Sequence, residues 1–468
     1  MLNLVLGQSI LKQTFRLQND AEDQPIGEEL HGYGIVDLVA RDSIVWAASG
    51  YALNKTIDGG RYWQIFKSGD YIGKGGISAL AYMDDSTLWI ATAYDTTVRG
   101  DNLTAGGGLS FTRDGGKTWT HYKQPVDPRD VTDYSPTTTN IQNITYDIAF
   151  VDSTIWIASF GGGLRRSDDM GQTWQVVTTD GIPFSSLQYL NHRVFSLLNE
   201  NGNLWVGSAH GISRSENNGQ TWERFTAQNQ EQGISGNFAV AFGYQEYNGT
   251  VWAATIEATD TSEFRAVSKT SNGGQTWQVV LKGIFAHNFA FDGPRVYVAA
   301  DEGLFISEDD GQNWYDIPQV RSAARGEELF GQKYYSAAVQ SLPGMKRLWL
   351  GTSRGLAVTE DNGNRWQIIP AFVSGKRPSE GTVYAYPLPF TPREDMFCRF
   401  QIDVTRAQKI NIKIYDFAMN LVREIPINDY KPKWDGRSDS GATVASGVYF
   451  FRAEVDGEVS WGKIVIVN

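Results

Sequence analysis

Seven short segments of the chain place an acid or amide side chain where it could do chemistry. Each segment fits the eight-residue pattern [Ser/Thr]-x-[Asp/Asn]-x-Gly-x-x-Trp, called an octet below. The third residues of the octets are Asp58, Asp114, Asp169, Asn217, Asn272, Asp309 and Asp361. A hydroxyl and a carboxylate at this spacing could catalyse proton transfer or bind a metal ion. Asn replaces Asp in two octets, however, and a catalytic carboxylate does not tolerate exchange for an amide. We therefore interpret these side chains as structural.

The composition of the octet is typical of a tight turn. The Asp or Asn side chain can accept hydrogen bonds from backbone N–H groups ahead of it, and Gly supplies the positive φ that such a turn needs. The Ser or Thr hydroxyl can bond across the same turn. The Trp then anchors the outgoing strand in the core. The octet is therefore predicted to be the turn of a β-hairpin.

The octets begin 37 to 56 residues apart, which is the period of a repeat architecture. A short apolar strand with a central aromatic residue precedes each octet, at residues 45–48, 88–91, 155–158, 204–207, 251–254, 296–299 and 348–351. Another apolar strand lies upstream of it. Four strands repeated seven times predict an all-β chain that forms a seven-bladed β-propeller. The first and last blades each have four strands of their own, so no shared strand is predicted to close the ring.

The octets resemble the Asp-box, or BNR, repeats of sialidases, sortilin-type receptors, two-propeller xyloglucanases and photosystem assembly factors. The resemblance covers residues 33–370 and implies the propeller fold. In the enzymes that carry Asp-boxes, the boxes lie away from the active site. The resemblance therefore does not identify a function, which has to be argued from a site.

Length and composition narrow the possible functions. A chain of 468 residues is expected to form more than one domain. Its net charge of −12 argues against a nucleic acid or an anionic membrane as partner. Cys398 is the only cysteine, and the five histidines show no metal-ligand spacing, so no disulfide, metal site or cofactor is predicted. No apolar run reaches the ~18 residues that span a bilayer.

The first 30 residues are predicted to be an extended segment outside the repeats. Val5-x-Gly7 followed by Gln8 is typical of the end of a secretory signal peptide, because small residues suit cleavage after Gly7. The alternative is an extended stretch, residues 10–17, that packs on a blade. Residues 18–31 are acidic and polar and are typical of a surface linker.

The long insertions between strands all fall on one predicted face of the propeller. Strands alternate in direction, so the loops between second and third strands and those between blades lie opposite the octets. The insertions are residues 93–108, 120–143, 178–193, 225–237, 256–267 and 317–333. Loops of this length are usually functional. This long-loop face, around the mouth of the central channel, is the predicted binding face.

Charged and aromatic side chains on these loops are the candidate ligand contacts. They are Tyr94, Arg99, Asp127, Arg129, Tyr134, Glu257, Arg265, Arg321 and Arg325. Such a mixture suits a glycan, a peptide or a protein partner, and it equally suits a solvated rim.

A glycoside hydrolase is the alternative function. Sialidases need three arginines, a Tyr–Glu pair and an Asp, and they carry an Arg-x-Pro motif near the first blade. No such motif precedes Thr56. Asp127 or Asp130 with Glu257 or Asp260 could form a pair of hydrolytic carboxylates. Xyloglucanases place their site between two propellers, whereas this sequence predicts one, so the non-catalytic reading is favoured.

The C-terminal part is predicted to be a separate domain. Residues 373–382 have the composition of a linker, and residues 383–468 contain short alternating strands that predict a small β-sandwich. The motifs Tyr386-Pro-Leu-Pro-Phe, Trp434-Asp-Gly and Gly447-Val-Tyr-Phe resemble the immunoglobulin-like domain of the flagellar hook-cap protein, here called FlgD-like. They also resemble the C-terminal sorting domain of type IX secretion cargo, apart from Leu388, where that family usually has Asn.

The sorting resemblance implies export to the outer surface or medium of a Gram-negative bacterium of the Bacteroidetes–Chlorobi–Ignavibacteria kind, with the secretion machinery as a partner. The whole sequence then predicts a propeller at residues 31–372 and a sorting and attachment sandwich at residues 383–468. The predicted function is a secreted or surface-displayed, non-catalytic binding or scaffold protein. A second alternative is a structural subunit that self-assembles by strand addition.

Overall fold

The computed structural model describes residues 26–27, 30–32, 34–67, 69, 71–320, 333–372, 383–386, 388–395, 397–401, 410–425 and 432–468. Two compact units are present, with a boundary between Ala371 and Phe372. The N-terminal residues 1–25, the predicted linker 373–382, and the candidates Arg321 and Arg325 lie outside the described residues.

Seven antiparallel sheets follow one another along the chain and form a seven-bladed β-propeller, which confirms the predicted fold. In each blade, four strands are hydrogen-bonded in chain order. The described strands of this unit are β1 Ile26–Gly27, β2 Leu30–His31, β3 Ile35–Arg41, β4 Ile44–Ser49, β5 Ala52–Thr56, β6 Trp63–Lys67, β7 Gly76–Tyr82, β8 Leu88–Val98, β9 Asp101–Thr112, β10 Thr120–Tyr122, β11 Thr145–Val151, β12 Thr154–Ser159, β13 Gly163–Ser167, β14 Gln175–Val177, β15 Val194–Glu200, β16 Asn203–Ser208, β17 Gly211–Ser215, β18 Glu223–Phe225, β19 Phe238–Gln245, β20 Thr250–Ile256, β21 Ala266–Thr270, β22 Gln278–Val280, β23 Ala286–Asp292, β24 Arg295–Ala300, β25 Gly303–Ser307, β26 Tyr315–Ile317, β27 Tyr334–Leu342, β28 Met345–Thr352, β29 Gly355–Thr359 and β30 Gln367–Phe372.

The inner strands of neighbouring blades contact one another all round the ring. They are β3, β7, β11, β15, β19, β23 and β27, so these strands surround the axis. Each carries a β-bulge near its start, at Val36, Ser78, Tyr146, Phe195, Val240, His287 and Tyr335. A bulge adds one extra residue to the strand and redirects its side chain. The seven bulges therefore mark one level of the channel, at its long-loop end.

Each octet forms the turn that its sequence predicts. In the third blade, Ser167 Oγ donates to Asp169 Oδ1 at 2.8 Å, and the N–H of Gly171 donates to Ser167 Oγ at 2.9 Å. The N–H of Thr173 donates to Asp169 Oδ1 at 2.9 Å. The same three bonds occur in all seven octets. Asn217 and Asn272 each accept the hydroxyl and the later N–H bond with an amide oxygen, so a negative charge is not required for the turn.

The octet Trp of a blade packs edge-on against the aromatic ring on the second strand of the preceding blade. Such pairs, with ring centroids 5.9 to 6.4 Å apart, are Trp119–Trp46, Trp222–Trp156, Trp277–Trp205, Trp314–Trp252 and Trp63–Trp349. Edge-to-face geometry adds about 0.5–1.5 kcal/mol to the burial of each pair. Trp63 belongs to blade one and Trp349 to blade seven, so this contact also closes the ring.

The prediction that no strand is shared at the ring closure is wrong. The dipeptide strand β2 is hydrogen-bonded to the outer strand of blade seven, and β1 pairs with the outer strand of blade one. Each of these two strands adds to the outer edge of its blade. The N-terminal segment therefore contacts the blades on both sides of the ring closure. Strands of two residues have no period, which is why the sequence pattern did not reveal them.

The predicted loop 93–108 is also different in the structure. Strands β8 and β9 continue through it, and their pairing extends to Val98 opposite Asp101. The insertion is therefore a long β-hairpin. Its alternation of small and polar residues lacks the apolar face that identifies a buried strand.

The C-terminal unit consists of two sheets and one short helix. One sheet has the order β31–β32–β35 and the other β34–β33–β36–β37. The strands are β31 Tyr384–Tyr386, β32 Cys398–Gln401, β33 Ile410–Tyr415, β34 Leu421–Ile425, β35 Lys433–Trp434, β36 Gly447–Val455 and β37 Glu458–Ile466, with helix α1 at Pro392–Asp395. Phe390, Trp434 and Phe451 are fully buried in the shared core. The unit has the architecture of a small immunoglobulin-like β-sandwich.

Three octet carboxylates predict a specific response to acid. Hydrogen bonds from the following Thr or Asn hold the pKa of Asp114, Asp169 and Asp309 at about 2. A depressed folded pKa stabilises the fold above the ordinary value of 3.8, and this stabilisation is lost as the pH falls from there to about 2. In a triple Asp→Asn variant the turns should persist, and the melting temperature should fall less over this window than in the wild type. Equal falls in scanning calorimetry would contradict the prediction.

Candidate functional site

An apolar cluster lies at the long-loop end of the inner strands and extends over four blades. This channel-mouth cluster contains Tyr146, Phe160, Phe195, Phe238, Ile256 and Phe285. Phe195 is its centre, with ring centroids 5.4 Å from Tyr146, 6.0 Å from Phe160 and 4.5 Å from Phe238. Tyr146, Phe160 and Phe285 are half-buried, so part of the cluster faces solvent. An incompletely buried aromatic surface on a loop-rich face is a typical binding surface.

An arginine lies over an aromatic ring at each end of the cluster. The Arg193 guanidinium is 5.5 Å from the centroid of Phe160, and that of Arg265 is 6.0 Å from Phe285. Arg193 Nε donates to the carbonyl of Ser186 at 2.6 Å, and the loop that ends at Arg193 leaves Leu187 83% exposed. Burial lowers the pKa of Arg193, although an arginine remains charged.

Arg265 also pairs with Glu257 at 3.1 Å, and both side chains are 45% exposed. These two candidates therefore meet in the structure. Such an exposed pair contributes at most about 1 kcal/mol to stability, so its loss should not endanger the fold. The arginine can exchange this carboxylate for that of a ligand at little cost.

Beyond Phe285 the mouth continues with titratable side chains. The His287 ring is tilted against Phe285 and edge-on to Tyr335, at 4.7 and 5.4 Å between centroids. Asp301 lies 2.7 Å from His287 Nε2 and 2.7 Å from Lys333 Nζ. Burial alone would raise the pKa of Asp301, but these two partners outweigh it and the pKa is lowered. Asp301 is therefore ionised and engaged near neutral pH.

Asp127 is placed differently from the prediction. Its side chain is 4% exposed and forms a bidentate ion pair with Arg165, at 2.7 and 2.8 Å. It also accepts a hydrogen bond from the N–H of Thr137 at 2.7 Å and from the Tyr134 hydroxyl at 3.2 Å. Burial alone would raise the pKa of Asp127. The hydrogen bonds and the charge of Arg165 outweigh that effect, so the pKa is lowered. Asp127 and Tyr134 therefore fasten the loop 123–144 to blade three.

The remaining candidates Tyr94, Arg99 and Arg129 do not come together in one place. The Tyr94 hydroxyl accepts a hydrogen bond from Asn140 at 3.0 Å, and Lys74 Nζ is 4.0 Å from its ring centroid. Arg99 is exposed at the tip of the β8–β9 hairpin, with φ of 52°. Arg129 is exposed on the loop that Asp127 fastens. These side chains form part of the rim of the face.

Two further polar groups resemble catalytic arrangements but are structural. His192 Nε2 is 3.2 Å from Asp180 Oδ1, as in an acid–base dyad, yet its Nδ1 accepts the N–H of Ser185 at 2.9 Å. A ring nitrogen already occupied in this way cannot serve as a general base. The buried Glu263 accepts the N–H of Asn237 at 3.0 Å and of Ala258 at 2.7 Å, which joins two loops.

The sequence did not predict the channel-mouth cluster, because the candidates were side chains of the long loops and most of the cluster lies at the strand ends. A usable signal was present. Four consecutive repeats place an aromatic residue at or beside the start of the inner strand, at Tyr146, Phe195, Phe238 and Phe285. Since these strands surround the axis, such residues converge at the mouth.

Comparisons with known proteins support the fold. No protein-family model matches the chain, and no curated protein matches it. Its structure is similar to that of the GH74 xyloglucanase from Xanthomonas campestris, at 12% identity over 94% of this chain and 75% of that one, with a TM-score of 0.55. It is also similar to the extracellular domain of a putative one-component system from B. thetaiotaomicron, at 15% identity over 93% of this chain and 57% of that one, with a TM-score of 0.50.

A third similar structure is PorZ, a bacterial surface component of the type IX secretion system of Porphyromonas gingivalis. It is 16% identical over 96% of this chain and 61% of PorZ, with a TM-score of 0.46. The chain thus spans about three-fifths of PorZ and of the B. thetaiotaomicron domain. At these identities the likeness to the xyloglucanase and to the B. thetaiotaomicron domain shows the fold alone, which is that of a β-propeller protein.

The described part of the chain contains no helix long and apolar enough to cross a membrane. Among the same residues, no three His, Cys, Asp or Glu side chains are grouped to hold a metal ion.

Proposed function

We propose that the chain is an extracellular, non-catalytic binding protein whose channel-mouth cluster holds a peptide segment of a partner protein. The observation that carries this proposal is the largely buried aromatic cluster over four blades, in which three side chains retain partial exposure, with Arg193 and Arg265 at its two ends. An aromatic floor accepts apolar side chains of a peptide, and arginine donates to carbonyl and carboxylate oxygens. Aromatic and arginine side chains also dominate the binding energy of most protein interfaces.

The carboxylates of this face favour binding over hydrolysis. A glycosidase needs a carboxylic acid whose pKa is raised, so that it is protonated at working pH. The pKa is instead lowered at Asp127, Asp180 and Asp301, each of which has a defined hydrogen-bond partner. Glu257 lies 3.1 Å from the Arg265 guanidinium. These side chains stabilise loops and would not donate a proton to a leaving group.

Two finer assignments belong to this proposal. The octets are of the Asp-box type, which agrees with their shared turn geometry. The C-terminal sandwich, residues 383–468, directs type IX secretion and surface attachment, as its FlgD-like motifs imply. The propeller, residues 31–372, then faces the outside of a Gram-negative cell, where it would meet its partner.

The proposal can be tested by selection on the purified full chain. A phage-displayed random dodecapeptide library is screened, and the best peptide is measured by fluorescence anisotropy. The double variant Arg193→Gln/Arg265→Gln should weaken binding by about tenfold or more, because two arginine contacts to the peptide are together worth about 1.4 kcal/mol or more. Arg61→Gln, in an octet on the opposite face, is the matched control and should bind like the wild type.

Two outcomes would overturn the proposal. One is a library that yields no peptide, and the other is a selected peptide that binds both variants equally. Hydrolysis of a xyloglucan oligosaccharide by the wild type would instead support the glycoside hydrolase alternative.

A further inference from the structure

The larger sheet of the C-terminal unit has one buried and one exposed face. Side chains alternate along β33, where Ile410, Ile412 and Ile414 are fully or almost fully buried. The other face of this sheet carries Tyr415, Phe450 and Trp461, with Phe417 just beyond β33. We call these four side chains the outer aromatic strip.

The strip is continuous across three strands. Tyr415 lies opposite Phe450 in the register of β33 and β36, which places their Cβ atoms about 5 Å apart. The Tyr415 and Trp461 ring centroids are 5.7 Å apart, and those of Phe417 and Phe450 are 6.2 Å apart. Trp461 is 51% exposed and Phe417 78% exposed. An aromatic surface left open to water on this scale indicates a binding surface.

Paired charges lie on the same face beside the rings. Lys413 Nζ is 3.3 Å from Glu424, and Arg452 Nη1 is 2.8 Å from Glu454. Arg452 lies opposite both Lys413 and Trp461 in the strand register, so rings and charges adjoin. The centres of protein–protein interfaces are depleted in Lys and Glu, although aromatic residues and Arg are enriched there. A face that mixes rings with hydrogen-bonding charges suits a different kind of ligand.

The size of the face also argues against a folded protein partner. Four strands at about 4.8 Å spacing and six residues at about 3.3 Å rise give roughly 300–400 Å². A stable protein interface, including one with a second copy of this chain, buries about 800 Å² on each partner. The strip is therefore too small to hold a protein by itself, but it is long enough to contact several units of a chain molecule.

We propose that the outer aromatic strip binds a polysaccharide. The C–H faces of pyranose rings are apolar and weakly positive, so they stack on the electron-rich faces of Trp461, Tyr415 and Phe417. The sugar hydroxyls at the ring edges donate to Glu424 and Glu454 and accept from Lys413 and Arg452. This site is separate from the channel mouth and anchors the protein to a polysaccharide matrix whatever the propeller binds.

The experiment uses the full chain in pull-down assays with microcrystalline cellulose, chitin and peptidoglycan sacculi. The wild type should be retained on at least one of them. Trp461→Ala and Phe417→Gln should each lower the association constant for the polysaccharide by about tenfold, since each removes one stacking ring. Tyr247→Ala removes a 65% exposed aromatic residue of the propeller and should bind like the wild type.

Retention of none of the three polysaccharides, or equal retention of wild type and both strip variants, would overturn the proposal. If the protein floated with phosphatidylcholine vesicles and was not retained on any polysaccharide, the proposal would be overturned in favour of a lipid ligand. Phe417 lies on a turn and is largely exposed, so the Phe417→Gln variant remains informative if Trp461→Ala fails to fold. A failure here leaves the peptide-binding result at the channel mouth unaffected.

Discussion

Replacing Arg165 with alanine should lower the unfolding free energy of the propeller by about 3–5 kcal/mol. Arg165 is 1% exposed and holds Asp127 through two hydrogen bonds of 2.7 and 2.8 Å. Its removal leaves a buried carboxylate without its cation, and that uncompensated charge is the source of the cost. The melting temperature should fall by about 5–10 °C, measured by scanning calorimetry.

The control for this prediction is Arg129→Ala. Arg129 is exposed on the loop that carries Asp127, and its loss should change the free energy by no more than about 0.5 kcal/mol. If Arg165→Ala melted within about 1 °C of the wild type, Asp127 would not be a structural residue. The original interpretation of Asp127 as a ligand contact would then be favoured again.

Replacing Gly311 with alanine should destabilise the propeller by about 2–5 kcal/mol. Gly311 has φ of +79°, which costs an alanine about 1–2 kcal/mol. An added Cβ would lie 2.4 Å from the ring of Trp252, which is fully buried and cannot move aside. Overpacking of this kind costs a further 1–3 kcal/mol, by the usual order of magnitude. Denaturant-induced unfolding monitored by Trp fluorescence measures the loss.

Gly249 provides a control that separates the two contributions. Its φ of +71° is nearly the same, but an added Cβ would meet nothing within 4 Å. Gly249→Ala should therefore show only the backbone cost of about 1–2 kcal/mol. Equal losses at both positions would mean that the contact between octet and neighbouring blade does not contribute to stability.

The sequence predicted the blades well because the octet is a local structure. Its hydrogen bonds join residues at most four apart, from Ser167 to Gly171, and its Trp follows three residues later. The ring closure and the hairpin of residues 93–108 were not predicted. A dipeptide such as Leu30–His31 has too few residues for a periodic pattern, and it is placed by a partner strand more than 300 positions away.

The sequence predicted a binding face on the long-loop side of the propeller, and the proposed channel-mouth cluster lies on that side. Asp127 looked like an exposed acid because its partner, Arg165, is 38 residues distant and lies in a strand of another repeat segment. Glu257 and Arg265 are eight residues apart in one loop and do meet. The aromatic cluster depends on four inner strands that converge only after folding, so no single stretch of sequence contains it.

Hydroxyl-radical footprinting of the full chain, alone and with the selected peptide bound, tests the central claim most directly. If the channel mouth holds the peptide, Phe160, Phe285 and the exposed Leu187 should be protected from oxidation, and Tyr62 in an octet on the opposite face should not change. Protection of Tyr62 with unchanged oxidation of Phe160 and Phe285 would place the binding surface elsewhere and contradict the account.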